Sequence, residues 1–151
     1  MSHEDQKKAL LERIAKAKAE REQLDAEAEE RAELARLQRE AIAAENALRD
    51  EPHIAKAEEE HGALGEGIAV IDTPRGAIVI KRPHHLVFRK FSAKEKPKID
   101  EIEAFVRSCL VYPAKDTFES IAEEFSGTYG ACVNAITVLM TNTSKERSGK
   151  S

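Results

Sequence analysis

From His3 to about residue 60 the chain contains no glycine and a single proline, Pro52, and is built chiefly from Ala, Glu, Lys, Arg and Leu. These residues lose little conformational freedom in a helix, so summed over fifty positions they leave few other local structures open. The composition predicts one long helix from about residue 4 to 50, roughly 70 Å at about 1.5 Å per residue. Ser2 with Asp5 resembles a capping box, and Glu4 and Asp5 suit the positive end of the helix dipole. Glu12 with Lys16 and Glu27 with Arg31 add favourable pairs four residues apart. Asp50-Glu51-Pro52 is predicted to stop or kink the helix, because proline lacks a donor and crowds the preceding turn.

The apolar register indicates how such a helix is used. Leu10, Ile14, Ala17, Leu24 and Ala28 follow alternating spacings of four and three, with Arg21 in one seam position. Leu34, Leu37, Ala41, Ala44 and Leu48 repeat the pattern in a shifted phase. A narrow, alanine-rich seam with a register slip describes a weak coiled coil. A helix of this length exceeds what the remaining ninety or so residues can cover, so self-association or binding along a partner is expected. Leu10, Ile14, Leu24, Leu34, Leu37 and Leu48 are the candidate protein-binding residues.

The rest of the composition narrows the function classes. The chain has 151 residues and a formal net charge of −4, which argues against a generic nucleic-acid binder. The N-terminus lacks the apolar core of a signal peptide and no apolar run approaches eighteen residues, so a cytoplasmic protein with no membrane partner is expected. Cys109 and Cys132 both fall in apolar helical patterns and read as buried, reduced thiols.

Past residue 60 the pattern changes. The stretch "HGALGEG" (61–67) reads as a glycine-rich hinge separating the helix, residues 1–60, from a small domain, 68–142. Two β-branched runs, Ile68–Ile71 and Ala77–Lys81, flank Asp72-Thr-Pro-Arg-Gly76 and predict a β-hairpin. Leu86–Phe91 is predicted as a third short strand. Three helical patterns follow, around Ile99–Leu110, Asp116–Phe125 and Tyr129–Met140, the second opened by the capping-box match Asp116-Thr-Phe-Glu119. Residues 143–151 read as a disordered tail. The expected fold class is α+β: a long N-terminal helix, a small antiparallel sheet of hairpin plus third strand, and three short C-terminal helices.

Reactive groups form no recognisable constellation. "GALGEG" lacks the Lys-Ser/Thr ending of a phosphate loop, and Ser108-Cys109 has no G-x-S-x-G context. His84 and His85 would point to opposite faces of a strand, and His3, His53 and His61 stand at no ligand spacing, so no metal or other cofactor is expected. A basic cluster stands out: residues 68–98 hold eight Lys/Arg against two acids. Arg75, Lys81, Arg82, Arg89 and Lys90 form its candidate docking patch, read as a guarded strand edge, a surface for an acidic protein segment, or a nucleic-acid surface. The first sixty residues carry six more acids than bases, so the patch could also meet the chain's own helix.

Residues 68–140 resemble a known family. A hairpin leads to a basic "KRP…L.F..F" strand, then to a helix ending "SCLVYP", a short helix in "TFESIAEEFSGTYG" and a closing helix, "ACVNAITVL". Val111-Tyr112-Pro113 and the spacing of Phe118, Phe125 and Gly127 carry the resemblance, which is to the small tail assembly chaperones of tailed bacteriophages. The long charged helix departs from that family's compact form. The resemblance implies a non-enzymatic role in the host cytoplasm. There the protein would bind a long, aggregation-prone tape-measure protein while tail tube subunits polymerise around it. The alternatives are a structural component of a virion or other assembly, with the helix as a strut, and a nucleic-acid-binding module using the 68–98 patch.

Overall fold

The structure, a computed structural model, describes residues 2–149, with side chains as far as Asn142. It divides into two units, residues 1–42 and 43–151. The first unit is helix alone. Helix α1 runs from His3 to His61, and the Ser2 hydroxyl caps it by accepting from the Asp5 N–H at 3.2 Å.

The second unit takes the last part of α1 together with a three-stranded antiparallel sheet and four further helices. Strands β1 (Ile68–Thr73) and β2 (Gly76–Lys81) form the expected hairpin, with Ile68 opposite Lys81 and Thr73 opposite Gly76. The third strand, β3, is Leu110–Tyr112, paired to the other side of β2 so that β2 is central. Helices α2 (His85–Ser92), α3 (Ile99–Cys109), α4 (Lys115–Glu124) and α5 (Thr128–Gly149) complete the unit.

The sheet is covered on both faces, which explains why β2 reads as an unbroken apolar run. Ile78 and Ile80 enter one core with Phe105, Val106, Phe118, Ile121, Cys132 and Ile136 from α3, α4 and α5. Val79, pointing the other way, packs with Ile68 and with Ala57 of α1, flanked by Ile54, Val70, Val111 and Tyr112. Phe91 stacks on Phe105 with ring centroids 4.1 Å apart, and Phe118 meets Tyr129 edge-on.

Several sequence expectations are corrected. Helix α1 passes through Pro52 and continues nine residues beyond it to His61. A proline inside a helix costs about 3 kcal/mol, and packing of the flanking turns on the sheet offsets it. The Asn46 amide donates to the Pro74 carbonyl, Arg49 donates to the Arg75 carbonyl, and the His53 ring stacks on Tyr112 at 4.4 Å. Residues 43–61 thus belong to the sheet domain, and the division falls near residue 42 instead of at 61–67.

The glycine-rich stretch 61–67 is not a free hinge but a hydrogen-bonded turn. The Gly67 N–H donates to the Ala63 carbonyl, and the Gly67 carbonyl accepts from Arg82 N–H. A side chain at Gly67 would collide with the His61 carbonyl, so glycine is required by close approach of two backbone segments.

Leu86–Phe91 is helical, as part of α2, and is not a strand. His84 sits at the N-cap and its Nδ1 accepts from the Leu86 N–H at 3.2 Å. Helical spacing puts Phe88 and Phe91 on one face against the main core, where a strand would have split them. Leu110, expected at the end of a helix, starts β3 instead. The expected capping box at Asp116 is also displaced, since α4 begins after an N-cap at Ala114 with no side-chain cap bond. Helix α5 extends to Gly149, into the stretch expected to be a tail, and residues 150 and 151 of that tail lie outside the described residues.

Candidate protein-binding surfaces

Within α1, every aliphatic residue singled out from the seam is exposed. Leu10, Ile14, Leu34 and Leu37 are about half accessible, Leu24 is 62% accessible and Leu48 is 80% accessible. In the second unit Leu48 lies across α1 from the face that meets the sheet. At about 100° per residue it points roughly 160° away from Asp50. From Asn46 onward the sheet occupies the side of α1 opposite Leu48.

That sheet-facing side holds a charged hub. Asp50 is 2% accessible, and its carboxylate accepts from the Ala77 N–H at 2.8 Å, from the Tyr112 hydroxyl at 2.6 Å and from Arg49 Nε at 3.0 Å. Burial alone would raise the carboxyl pKa, but the Tyr112, Ala77 and Arg49 hydrogen bonds outweigh it and hold the group below the ordinary aspartate value. Burial and the neighbouring carboxylate push the Tyr112 hydroxyl up, so it remains a donor. Gly76, at φ 127°, brings the hairpin turn against this pair, and a side chain there would meet the Arg49 guanidinium. Asp50 thus fastens α1 to β2 of the hairpin and to β3.

A groove of about 770 Å³ opens on the other side of the sheet domain. Phe91, Ile102, Tyr129 and Val133 give it apolar walls, and Glu103, Arg107 and Glu119 lie along it. The Arg107 guanidinium stands 3.2 Å from both Glu103 and Glu119, so its charge is already matched within the groove. Neither this groove nor the Asp50 hub was visible in the sequence. Asp50 was read there as part of a helix stop, and only the 62-residue separation from Tyr112 being closed in space reveals its role.

Arg75 does not join the other basic residues. Arg75 lies at the hairpin turn, where it pairs with Glu124 at 3.2 Å and donates to Ser120. Lys81 and Arg82 lie at the opposite end of β2, roughly 20 Å away at about 3.3 Å per residue. Arg82 Nε is 3.5 Å from Met140 Sδ. Arg89 and Lys90 are exposed on α2. The candidate docking patch is therefore corrected at Arg75, which the length of β2 sets apart from Lys81 and Arg82, while Arg82 and Arg89 both adjoin Met140.

The histidine expectation also changes. His84 and His85 stack with ring centroids 4.4 Å apart, and they share a pocket of about 660 Å³ with His61. Among the described residues no group of three or more His, Cys, Asp or Glu side chains is placed to hold a metal ion. Cys109 and Cys132 are free and buried, and burial pushes the Cys132 thiol up to about 12. Among the described residues no helix is long and apolar enough to cross a membrane.

Comparison with protein-family models, with curated proteins and with solved structures finds no match to this chain.

Proposed function

We propose that this chain is a self-associating assembly factor that acts by binding an elongated helical protein, in the manner of a bacteriophage tail assembly chaperone with its tape-measure client. The observation that carries the reading is the exposed aliphatic seam of α1. Leu10, Ile14 and Leu24 on one face of the helix, and Leu34 and Leu37 on another, recur at helical spacing and are about half accessible or more. Such a stripe meets another helix through apolar side chains at spacings of three and four. Its small alanine-rich footprint favours contacts that form and release, which suits a holding function better than a permanent zipper. The sheet domain, fastened to α1 through Asp50, gives the helix a folded anchor.

The test is co-expression of the full chain with a phage tape-measure protein or tail tube protein, followed by purification through either partner. Capture is expected with the native chain and reduced at least about tenfold when Leu24 and Leu34 are both replaced by Gln, which keeps helix propensity while removing apolar surface. A native chain that captures neither protein and stays monomeric at high concentration overturns the reading. Stoichiometric protein retained in finished particles would favour a permanent strut over a transient chaperone.

A further inference from the structure

The two apolar runs of α1 do not share a face. At about 100° per residue, Leu10, Ile14, Ala17, Leu24 and Ala28 centre on a direction roughly 140° from that of Leu34, Leu37 and Ala41. Underwinding to about 3.5 residues per turn narrows the separation only to roughly 90°. One neighbouring helix covers a single such stripe, so two stripes require two neighbours. All five of the large aliphatic residues in them are exposed.

The rims of the stripes carry opposite charge. Lys7, Arg13 and Lys18 flank the first and Arg21 interrupts it, outnumbering Glu20 and Asp25 on the same borders. Glu27 and Glu33 flank the second and Glu30 interrupts it, against Arg31 alone. The bias extends along the whole segment: residues 7–21 hold six basic and two acidic side chains, and residues 22–40 hold seven acidic and three basic. Flanking charges of this kind select partner and register in helix pairing, because like rims repel and opposite rims attract.

We propose that the basic-rimmed stripe of one copy packs on the acid-rimmed stripe of a second copy of this chain. The two surfaces differ, so the contact is heterologous, and the pair retains one unused stripe of each kind, one at each growing end. Assembly then propagates into a chain or closes into a ring and does not stop at two. The inference deepens the function proposed above by naming a second copy as one partner, and it is read without any client present.

The experiment measures the mass of the full-length protein by light scattering over a range of concentrations. One variant carries Ile14→Gln and Leu24→Gln, the other Leu34→Gln and Leu37→Gln, with helicity checked by circular dichroism. The native chain is expected to grow beyond a dimer. Each variant alone is expected to lose at least about tenfold in self-affinity, whereas an equimolar mixture forms a heterodimer and stops there. A second set tests the charges without touching the stripes. Lys7→Glu with Arg13→Glu and Lys18→Glu, or Glu27→Lys with Glu30→Lys and Glu33→Lys, weakens association, and all six changes in one chain restore it. A native chain that stays monomeric, a stripe variant that assembles like the native chain, or a mixture without heterodimer overturns the proposal. Self-assembly with no client capture counts against the function reading alone, and client capture by a monomer counts against this inference alone.

Discussion

The Tyr112 hydroxyl donates to the Asp50 carboxylate at 2.6 Å, joining the strand that closes the sheet to a helix that began at His3. With the Ala77 N–H on the same carboxylate, this contact makes one side chain the junction of α1, the hairpin and β3.

Replacing Asp50 by Ala orphans two buried donors and is expected to cost about 2–4 kcal/mol, whereas Tyr112→Phe removes one donor and costs about 1–2 kcal/mol. Chemical denaturation of the single and double variants measures both. The double variant is expected to lose less than the sum of the two, because the residues share one bond.

Stability should also depend on pH through the same group. The folded pKa of Asp50 lies below its ordinary value, so its contribution is complete above about pH 4 and is lost as pH falls through the folded pKa. The difference in unfolding free energy between the native chain and Asp50→Asn is therefore expected to be constant from neutral pH down to about 4 and to shrink below it. A difference that stays unchanged into stronger acid would contradict the charged, hydrogen-bonded state described for this carboxylate.

The domain boundary makes a sharper distinction. A chain beginning at Ala43 retains Asn46, Asp50, Ile54 and Ala57 and is expected to unfold cooperatively with nearly native stability. A chain beginning at Gly62 uncovers Ile68, Val70 and Val79 on one sheet face. It is expected to lose on the order of 5 kcal/mol, at about 1.5–3 kcal/mol per large aliphatic side chain. That loss rivals the whole stability of a small domain. Thermal denaturation and dispersion of amide NMR signals distinguish the two.

Burial raises both thiols, Cys132 to about 12, so few thiolates exist in the native protein near neutral pH. Reaction with a disulfide reagent at pH 8 is expected to be on the order of a thousandfold slower than in denaturant, with both cysteines reacting together once the domain unfolds. Fast labelling of Cys132 in the native state would place it outside the core formed with Ile136 and Phe118.

Much of this architecture is written in local patterns. Fifty residues without glycine specify α1, the Pro-Arg-Gly turn specifies the hairpin, and the apolar spacings of Ile99–Cys109 and Tyr129–Met140 specify α3 and α5. The exposed seam was legible for the same reason, since helical periodicity reports which side chains share a face. Phe88 and Phe91 carried a signal that was available but read in the wrong period: spacing of three residues unites them only in a helix, with His84 as its cap.

Other features depend on groups far apart in the chain. Pro52 is locally a helix breaker, and only the sheet packed on both flanking turns makes the unbroken helix the lower free-energy state. Asp50 resembled any exposed helix-end acid until Ala77 and Tyr112 came within hydrogen-bonding distance of it. Arg75 and Lys81 looked like one basic patch until the length of β2 separated them. Sequence by itself determined helices α1, α3, α4 and α5, the hairpin and the exposed aliphatic stripes, because these follow from backbone preference and side-chain periodicity. Tertiary structure alone decided where α1 ends, which strand closes the sheet and which charges are buried, because those outcomes depend on desolvation and on partners that no local pattern encodes.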